Sequence, residues 1–246
     1  MRIDIALWRR IVLVSIIRFV LSLYYAYMCL GENFIENEAF LRVFLGGIQI
    51  EDSANLFFVM LSFSPTCLFF LFVTNCFIKD VKSNFIYIFL RTPKRVRWLN
   101  TTILQTIKSI LCYEAFFGTL VLLLAVLNRD VNHCSLSLFF EIVFVDSMQL
   151  FMLSLFSNAL YLFFTDTGCV FGTVLELVVP LFAVGVAYES NFKWENVVKT
   201  FPLEWGNYNY LIAAGMDIWV SILGIVVVCL VIYMVQMWKI KVYELL

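Results

Sequence analysis

The segment of residues 79–100, KDVKSNFIYIFLRTPKRVRWLN, lies between two long apolar stretches and carries a high positive charge. It contains six of the seventeen Lys and Arg residues of the chain. These are Lys79, Lys82, Arg91, Lys94, Arg95 and Arg97. Because basic residues in short loops are retained on the inner side of a membrane, the segment predicts a cytoplasmic loop, which we call the basic loop.

An apolar island, residues 85–90 (FIYIFL), lies in the middle of the basic loop. A helix needs about 20 residues to span a bilayer, so the island is too short to cross it. The island therefore predicts a short amphipathic helix at the cytoplasmic face, with its apolar side offered to a partner protein.

The composition of the whole chain is typical of a membrane protein. Hydrophobic residues make up 63% of it and charged residues 14%. Soluble domains have roughly 45–50% and about 25%. The net charge of -1 conceals a segregation of sign along the chain, so we expect membrane lipid and not nucleic acid as a partner.

Hydropathy predicts six transmembrane helices, which means an all-α polytopic membrane fold with one domain, residues 1–246. Residues 1–12 combine Arg2, Arg9 and Arg10 with apolar side chains and predict an interfacial N-terminal helix. The predicted spans are about residues 11–30, 56–78, 100–127, 136–164, 169–188 and 211–238.

The basic residues outside the basic loop predict the orientation of the chain in the cell membrane. With both termini in the cytoplasm, the inner side also has Arg2, Arg9, Arg10, Lys239 and Lys241. The outer side then has Arg42, Arg129, Lys193 and Lys199. Six spans with both termini inside is the arrangement that agrees with the positive-inside rule.

Two segments on the predicted outer side are unlike the spans. Residues 41–50 are apolar but short, and we expect them to pack at the outer interface. Residues 189–209 are polar and aromatic, with Trp and Tyr rings of the kind found at membrane surfaces.

Two residues within the predicted spans affect helix geometry and charge. Pro65 should bend or locally open the second helix, because proline has no amide hydrogen. Arg18 interrupts the first span and would cost about 2.5–3.5 kcal/mol at the bilayer centre. We expect Arg18 to snorkel to the inner interface and to have no functional role.

Sequence motifs exclude several classes of enzyme. His133 is the only histidine, so a histidine-based zinc site, a histidine dyad and an HExxH helix are excluded. The chain has neither a GxSxG nucleophile elbow nor a phosphate-binding glycine loop. We therefore expect a non-catalytic chain with no cofactor of its own. Cys29 and Cys134 lie near predicted outer helix ends, and only geometry can decide whether they pair.

Five acidic residues fall within the predicted spans, where an ionisable group is expensive unless it faces the bundle interior, a partner or water. They are Glu114, Glu141, Asp146, Glu176 and Asp217.

The fourth span carries a polar stripe. Its Asp146, Gln149, Ser154 and Ser157 lie on one side of a helix at 100° per residue. The stripe either lines a conduit or bonds to neighbouring helices or a second subunit. The second interpretation is favoured for Glu141 and Asp217, which can reach an interface. The candidate pathway residues are Asp146, Gln149, Glu114 and Glu176.

The basic loop resembles a known family. A short apolar helix followed by residues 90–95, LRTPKR, and then by a long third span looks like the permease subunits of ABC-2 type transporters. The resemblance implies that residues 83–90 form the coupling helix, which docks into a groove of an ATP-binding subunit. The implied docking residues are Phe85, Ile86, Ile88, Phe89, Arg91, Lys94 and Arg95.

The resemblance also implies a function. Two such chains, identical or related, would form a pathway, and separate ATP-binding subunits would hold ATP and Mg. The small size is most similar to bacterial permeases for peptide or bacteriocin export and self-protection. An alternative is a membrane immunity or peptide-sequestering protein that works without an ATPase and does not transport.

Overall fold

The computed structural model describes residues 5–31, 40–74, 95–127, 136–164, 166–190 and 192–242. Every regular element in these parts of the chain is a helix, which confirms the all-α class. In chain order the α-helices are α1 (Ile5–Leu30), α2 (Phe40–Leu45), α3 (Leu56–Phe69), α4 (Arg95–Leu127), α5 (Leu136–Phe163), α6 (Asp166–Glu189), α7 (Trp194–Thr200), α8 (Tyr208–Ala213) and α9 (Ile218–Val242).

Six helices are long and apolar enough to cross a membrane, namely α1, α3 with its extension, α4, α5, α6 and α9. The prediction of six spans is therefore confirmed, and the chain is a multi-pass membrane protein. Helix α1 runs without a break from Ile5, so a separate interfacial helix is not seen among its described residues. The predicted coupling helix, residues 83–90, lies outside the described residues.

The last span begins later than predicted, at Ile218 instead of residue 211. Helix α8 ends before Gly215, whose φ of 60° is the left-handed conformation that commonly terminates helices. Asp217 then starts α9, since its Oδ1 accepts a hydrogen bond from the Trp219 amide at 2.8 Å.

Pro65 leaves a carbonyl oxygen without its helical donor inside α3. The oxygen of Leu61 would accept from the amide of residue 65, which proline lacks. The hydroxyl of Ser64 donates to this oxygen at 3.3 Å instead. Five residues further on, the helix widens into a π-helical turn, Phe70–Thr74.

Helix α5 lies at the centre of the bundle and packs against α2, α4, α6, α8 and α9. Polar side chains connect it to two of these neighbours. The Gln236 amide on α9 donates to the Leu155 carbonyl at 2.6 Å, and the Thr173 hydroxyl on α6 donates to the Ser157 hydroxyl at 3.1 Å. Such bonds are a common way of fixing helices to one another in a membrane.

Residues 40–55 and 194–217, which we call the inserted segments, enter the bundle instead of lying on its surface. The apolar residues of α2 are buried, with Phe44 at 3% exposure and its ring stacked 6.0 Å from that of Phe117. Helices α1, α4 and α5 provide the aromatic surface against which residues 41–50 are buried. The position of these residues at the outer interface of the membrane stays a prediction.

The inserted segments are hydrogen-bonded to each other and therefore lie at the same end of the bundle. The Asn209 amide donates to the Gly46 carbonyl at 3.1 Å, and the Asn207 side chain donates to the Ile48 carbonyl at 3.2 Å. Gly47 permits this approach, because its φ is 86° and a Cβ there would lie 2.9 Å from the Asn207 side-chain oxygen.

Candidate functional site

Arg18 on α1 forms ion pairs with two carboxylates on two other helices. Its Nη1 lies 2.6 Å from Glu114 Oε1 on α4, and its Nη2 pairs with Asp146 Oδ2 on α5. The Arg18 side chain is 13% exposed, and its guanidinium lies 4.0 Å from the centre of the Phe117 ring. The prediction that Arg18 snorkels to the interface was therefore wrong. We call Arg18, Glu114 and Asp146 the ion triad.

The ion triad lies near the middle of α1, α4 and α5, where a lone charge would be most costly. A buried guanidinium is tolerated when carboxylates surround it and its remaining donors are satisfied. The aromatic face of Phe117 adds a cation–π contact to this environment.

A cavity of about 110 Å³ adjoins the ion triad. Its wall is formed by α1, α3, α5, α6 and both inserted segments. The charged and amide side chains on this wall are Arg18, Asp146, Gln149, Glu176, Glu204 and Asn207. The bundle thus contains a partly open cavity whose wall is part polar and part apolar and includes three carboxyl groups.

Glu204 reaches the cavity because the second inserted segment turns sharply there. A 3-10 turn, Pro202–Glu204, follows α7, and the Trp205 indole N–H donates to the Val198 carbonyl at 3.0 Å. Glu204 is 3% exposed, and burial raises its pKa to about 8. Its carboxyl group forms no hydrogen bond or ion pair within the described parts of the chain.

Glu176 contributes a second carboxyl group that no counter-charge neutralises. It lies on α6, on the wall of the cavity. Its Oε2 is buried and has no hydrogen-bond partner among the residues that the structure describes. An uncompensated carboxyl group inside a membrane protein is costly, and this cost marks Glu176 as a candidate functional residue.

Three of the four predicted pathway residues, Asp146, Gln149 and Glu176, meet at this cavity. The fourth, Glu114, stands behind them as the second partner of Arg18.

The rest of the polar stripe on α5 does not line the cavity. Ser157 accepts a hydrogen bond from Thr173 on α6, and Ser154 is buried. Glu141 accepts a hydrogen bond from the Tyr208 hydroxyl at 3.2 Å, as expected for an acid that bonds a neighbouring element. The stripe therefore divides into a cavity-facing part, Asp146 and Gln149, and a helix-packing part.

The structure describes one of the seven predicted docking residues. Phe85, Ile86, Ile88, Phe89, Arg91 and Lys94 lie outside the described residues. Arg95 is the first residue of α4. Cys134, whose pairing with Cys29 the sequence leaves open, is also outside the described part of the chain.

Sequence reasoning missed Arg18 and Glu204 as residues of this site. A signal for Arg18 was present, since one base and several acids inside apolar spans are expected to pair with one another. Glu204 gave no such signal, because it lies in a polar segment where an exposed carboxylate is the ordinary outcome.

The ionisable side chains on the cavity wall are mostly acidic, with Asp146, Glu176 and Glu204 against Arg18. The carboxyl groups of Glu114 and Asp146 pair with the Arg18 guanidinium, and Glu176 and Glu204 lie on the wall of the same cavity. Within residues 5–242, apart from the gaps named above, no group of three His, Cys, Asp or Glu side chains is placed to hold a metal ion. Carboxylates that are spread around a cavity suit an organic cation with several donors.

No family model, no curated protein and no solved structure matches this chain.

Proposed function

We propose that this chain is the transmembrane permease subunit of an ATP-binding cassette transporter that exports a peptide or another amphipathic, cationic substrate. The acid-lined cavity between the spans supports this proposal more than any other observation. Polar and ionisable groups inside a membrane protein are costly, and they are characteristic of substrate and ion pathways. ATP and Mg bind to separate subunits, and this chain is not catalytic.

The size of the cavity limits what it holds. A pocket for a drug-sized ligand has about 300–1,000 Å³, whereas this cavity has about 110 Å³. It therefore holds one charged group of a substrate and not a whole peptide. The remainder of the substrate passes along a wider route between two copies of the chain, or between this chain and a related one.

The two ends of the bundle have different roles in the proposed transporter. The inserted segments lie where α3 begins, whereas the basic loop connects the end of α3 to the start of α4. The basic loop is thus at the opposite end, where the ATP-binding subunits dock on Phe85, Ile86, Ile88 and Phe89, oriented by Arg91, Lys94 and Arg95. Closure of the ATPases moves the spans as rigid bodies.

Purification from native membranes tests this function. The tagged chain should carry an ATPase subunit, and the double variant Phe85→Asp with Ile88→Asp should lose it, because two charges block an apolar docking face. Asn84→Asp is the matched control, since it adds a charge to the same loop at a residue not expected to dock.

Two results would contradict the proposed function. The wild-type chain could purify without an ATPase from membranes that contain it, as an immunity or peptide-sequestering protein would. Alternatively, the double variant could retain the ATPase as fully as Asn84→Asp does, which would place the docking surface elsewhere.

A further inference from the structure

A groove runs along the outside of the bundle between α4, α5 and α9, and we call it the lateral groove. Its volume is about 500 Å³, whereas sites for small molecules have about 300–1,000 Å³. Its wall is almost wholly apolar, and Leu104, Leu111 and Leu230 on this wall are each more than half exposed. The groove is therefore open to the surroundings of the bundle, which for a span are lipid.

The lateral groove has the length of one leaflet of a bilayer. On α4 it extends from Asn100 to Leu111, which is about 17 Å of helix. The hydrocarbon core of a bilayer is about 30 Å thick, so each leaflet provides about 15 Å. Because α4 begins at the end of the bundle that the basic loop joins, which we call the basic end, the groove lies in the half of the bundle nearest that end. It therefore fits one acyl chain of a lipid in the leaflet at the basic end.

The hydroxyl and amide side chains on the wall of the lateral groove are hydrogen-bonded to the protein itself. The Tyr233 hydroxyl on α9 donates to the Asn100 side-chain oxygen on α4 at 2.8 Å. The Ser147 hydroxyl on α5 donates to the Val143 carbonyl at 2.7 Å. The groove thus offers an occupant mainly apolar contacts, which again suits an acyl chain more than a polar molecule.

Two basic side chains on α4 flank the lateral groove. Arg97 lies one turn before Asn100, at the basic end of the groove, and Lys108 follows Ile107 in its wall. Both are exposed, and neither forms an ion pair within the described parts of the chain. Side chains on a helix point towards its N-terminus, so we expect the ammonium group of Lys108 to extend towards the basic end as well. An anionic group at that end would neutralise both charges.

The same charges disfavour a second copy of the chain as the occupant. A two-fold interface joins the same patch on both subunits, so it would bring the Arg97 and Lys108 side chains of the two copies together. None of the described residues that line the groove is acidic, so no carboxylate of the groove would offset this repulsion.

We propose that the lateral groove is a binding site for one anionic phospholipid. An acyl chain lies in the groove between α4, α5 and α9, and the negatively charged headgroup lies at the basic end near Arg97 and Lys108. The site follows from the membrane-spanning fold and does not rest on the proposed transport function.

Native mass spectrometry of the purified, delipidated full chain tests the site, because it counts bound lipids at each lipid concentration. The probes are dioleoylphosphatidylglycerol, which is anionic, and dioleoylphosphatidylcholine, which has the same acyl chains but no net charge. A basic residue near an anionic headgroup strengthens binding about fivefold. With two such residues, we expect the anionic lipid to bind at least about tenfold more tightly than the zwitterionic one.

Charge variants locate the headgroup. Arg97→Gln and Lys108→Gln should each lower the preference for the anionic lipid about fivefold. Arg9→Gln is the matched control, because Arg9 is also exposed near the basic end but lies on α1, which is not a wall of the groove. It should bind both lipids as the wild type does.

A bulky side chain in the groove locates the acyl chain. Val226→Trp fills part of the groove, so both lipids lose apolar contacts and should bind at least about tenfold more weakly. Val231→Trp is the control, since Val231 is on the same helix and 51% exposed but does not line the groove. Gel filtration checks that both variants are folded, and the charge variants test the site independently of them.

Four results would overturn the proposal. The two lipids could bind equally well to the wild type, or Arg97→Gln and Lys108→Gln could both bind them as Arg9→Gln does. Binding of the anionic lipid could be the same in Val226→Trp as in Val231→Trp. Lastly, Val226→Trp could convert a dimer to a monomer in the same spectra while lipid binding stays as it was, and the groove would then be an interface between copies of the chain.

Discussion

The guanidinium of Arg18 connects three helices whose residues are far apart in the sequence. Its two partners, Glu114 and Asp146, are 96 and 128 positions away. Each of these three side chains would be destabilising alone inside a membrane, and each is tolerated because the other two are present. The ion triad therefore selects one packing of α1, α4 and α5.

Removal of the guanidinium should be strongly destabilising. Arg18→Leu leaves two carboxylates close together in a buried site without a counter-charge, and breaking such a site costs about 3–5 kcal/mol. We expect a correspondingly lower folded fraction of Arg18→Leu in unfolding titrations with sodium dodecyl sulfate. Arg9→Leu is the matched control, because Arg9 lies on the same helix but is exposed.

Replacing all three residues of the ion triad with neutral ones tests why Arg18→Leu loses stability. The triple variant Arg18→Leu, Glu114→Gln and Asp146→Asn has no uncompensated charge and should recover most of the stability that Arg18→Leu loses. If the triple variant is as unstable as the single variant, the loss comes from packing around Phe117 and not from charge.

Glu204 should make the stability of the protein depend on pH. Its pKa is raised by burial from the ordinary 4.5 to about 8. Between these values the unfolded chain has lost the proton while the folded chain keeps it, so the folded state binds more protons and stability falls as pH rises. Below pH 4.5 both states are protonated, and Glu204 contributes no difference.

Glu204→Gln stays neutral at every pH, so its advantage in stability over the wild type should grow from pH 4.5 to about 8 and then level off. Unfolding midpoints measured across this range check the prediction. Glu189→Gln, at an exposed carboxyl group, should track the wild type throughout. A constant difference between Glu204→Gln and the wild type would show that Glu204 is ionised in the folded state.

Some of the individual residues that line the cavity could be predicted from the sequence. Asp146, Gln149 and Glu176 were identifiable because polar residues inside apolar helices stand out against their surroundings. Glu204 was not, because its burial depends on a turn and on contacts with distant helices. Arg18 was misassigned to an interface because a hydropathy scale scores one residue and does not include its partners.

At the scale of elements, hydropathy predicted the spans well and the inserted segments poorly. The spans depend on local composition, and each of the six helices begins or ends within a few residues of a predicted bound. The inserted segments are stabilised by contacts between residues far apart, such as the Asn209 side chain with the Gly47 carbonyl at 2.9 Å. A local pattern contains no information about such contacts.

Gly185 on α6 lets the first inserted segment pack closely against that helix. A Cβ at this position would overlap the backbone of Ser53. The backbone there is held by the Tyr25 hydroxyl, which donates to Asp52 at 2.8 Å and accepts from the Gln49 amide at 2.9 Å. The segment consequently cannot move away at low cost.

Gly185→Ala should therefore destabilise the protein by about 1–3 kcal/mol, as overpacking does. Unfolding titrations measure the change. Gly172→Ala on the same helix is the control, because the nearest atom to its added Cβ is the Leu160 Cδ1 at 3.0 Å, the end of a side chain that can rotate. If Gly172→Ala destabilises as much as Gly185→Ala, the close approach to Ser53 is not the cause.

At the scale of the whole molecule, the two ends of the bundle differ in chemistry. One end has the inserted segments, which are fixed to each other by Asn207 and Asn209. The end of α3 and the start of α4 lie at the other end, and the chain between these two helices contains four of the six basic residues of the basic loop. By the positive-inside rule we expect the basic end to lie in the cytoplasm and the inserted segments to lie on the outer side.

Cysteine labelling on intact cells tests this orientation. In a variant whose seven cysteines are replaced, single cysteines are introduced at Glu51, Lys199 and Arg97, which are all exposed. A membrane-impermeant maleimide should label Glu51→Cys and Lys199→Cys on intact cells, because both lie in inserted segments. It should label Arg97→Cys only after permeabilisation, because Arg97 lies in the first turn of α4, next to the basic loop.

The labelling pattern distinguishes an error in the fold from an error in the orientation. Labelling of Glu51→Cys and Lys199→Cys from opposite sides would contradict the shared end of the two inserted segments, and with it the wall of the cavity. A complete inversion would leave the fold intact but place the basic loop outside, where ATP-binding subunits cannot dock. In that case transport driven by an ATPase on the basic loop would be excluded.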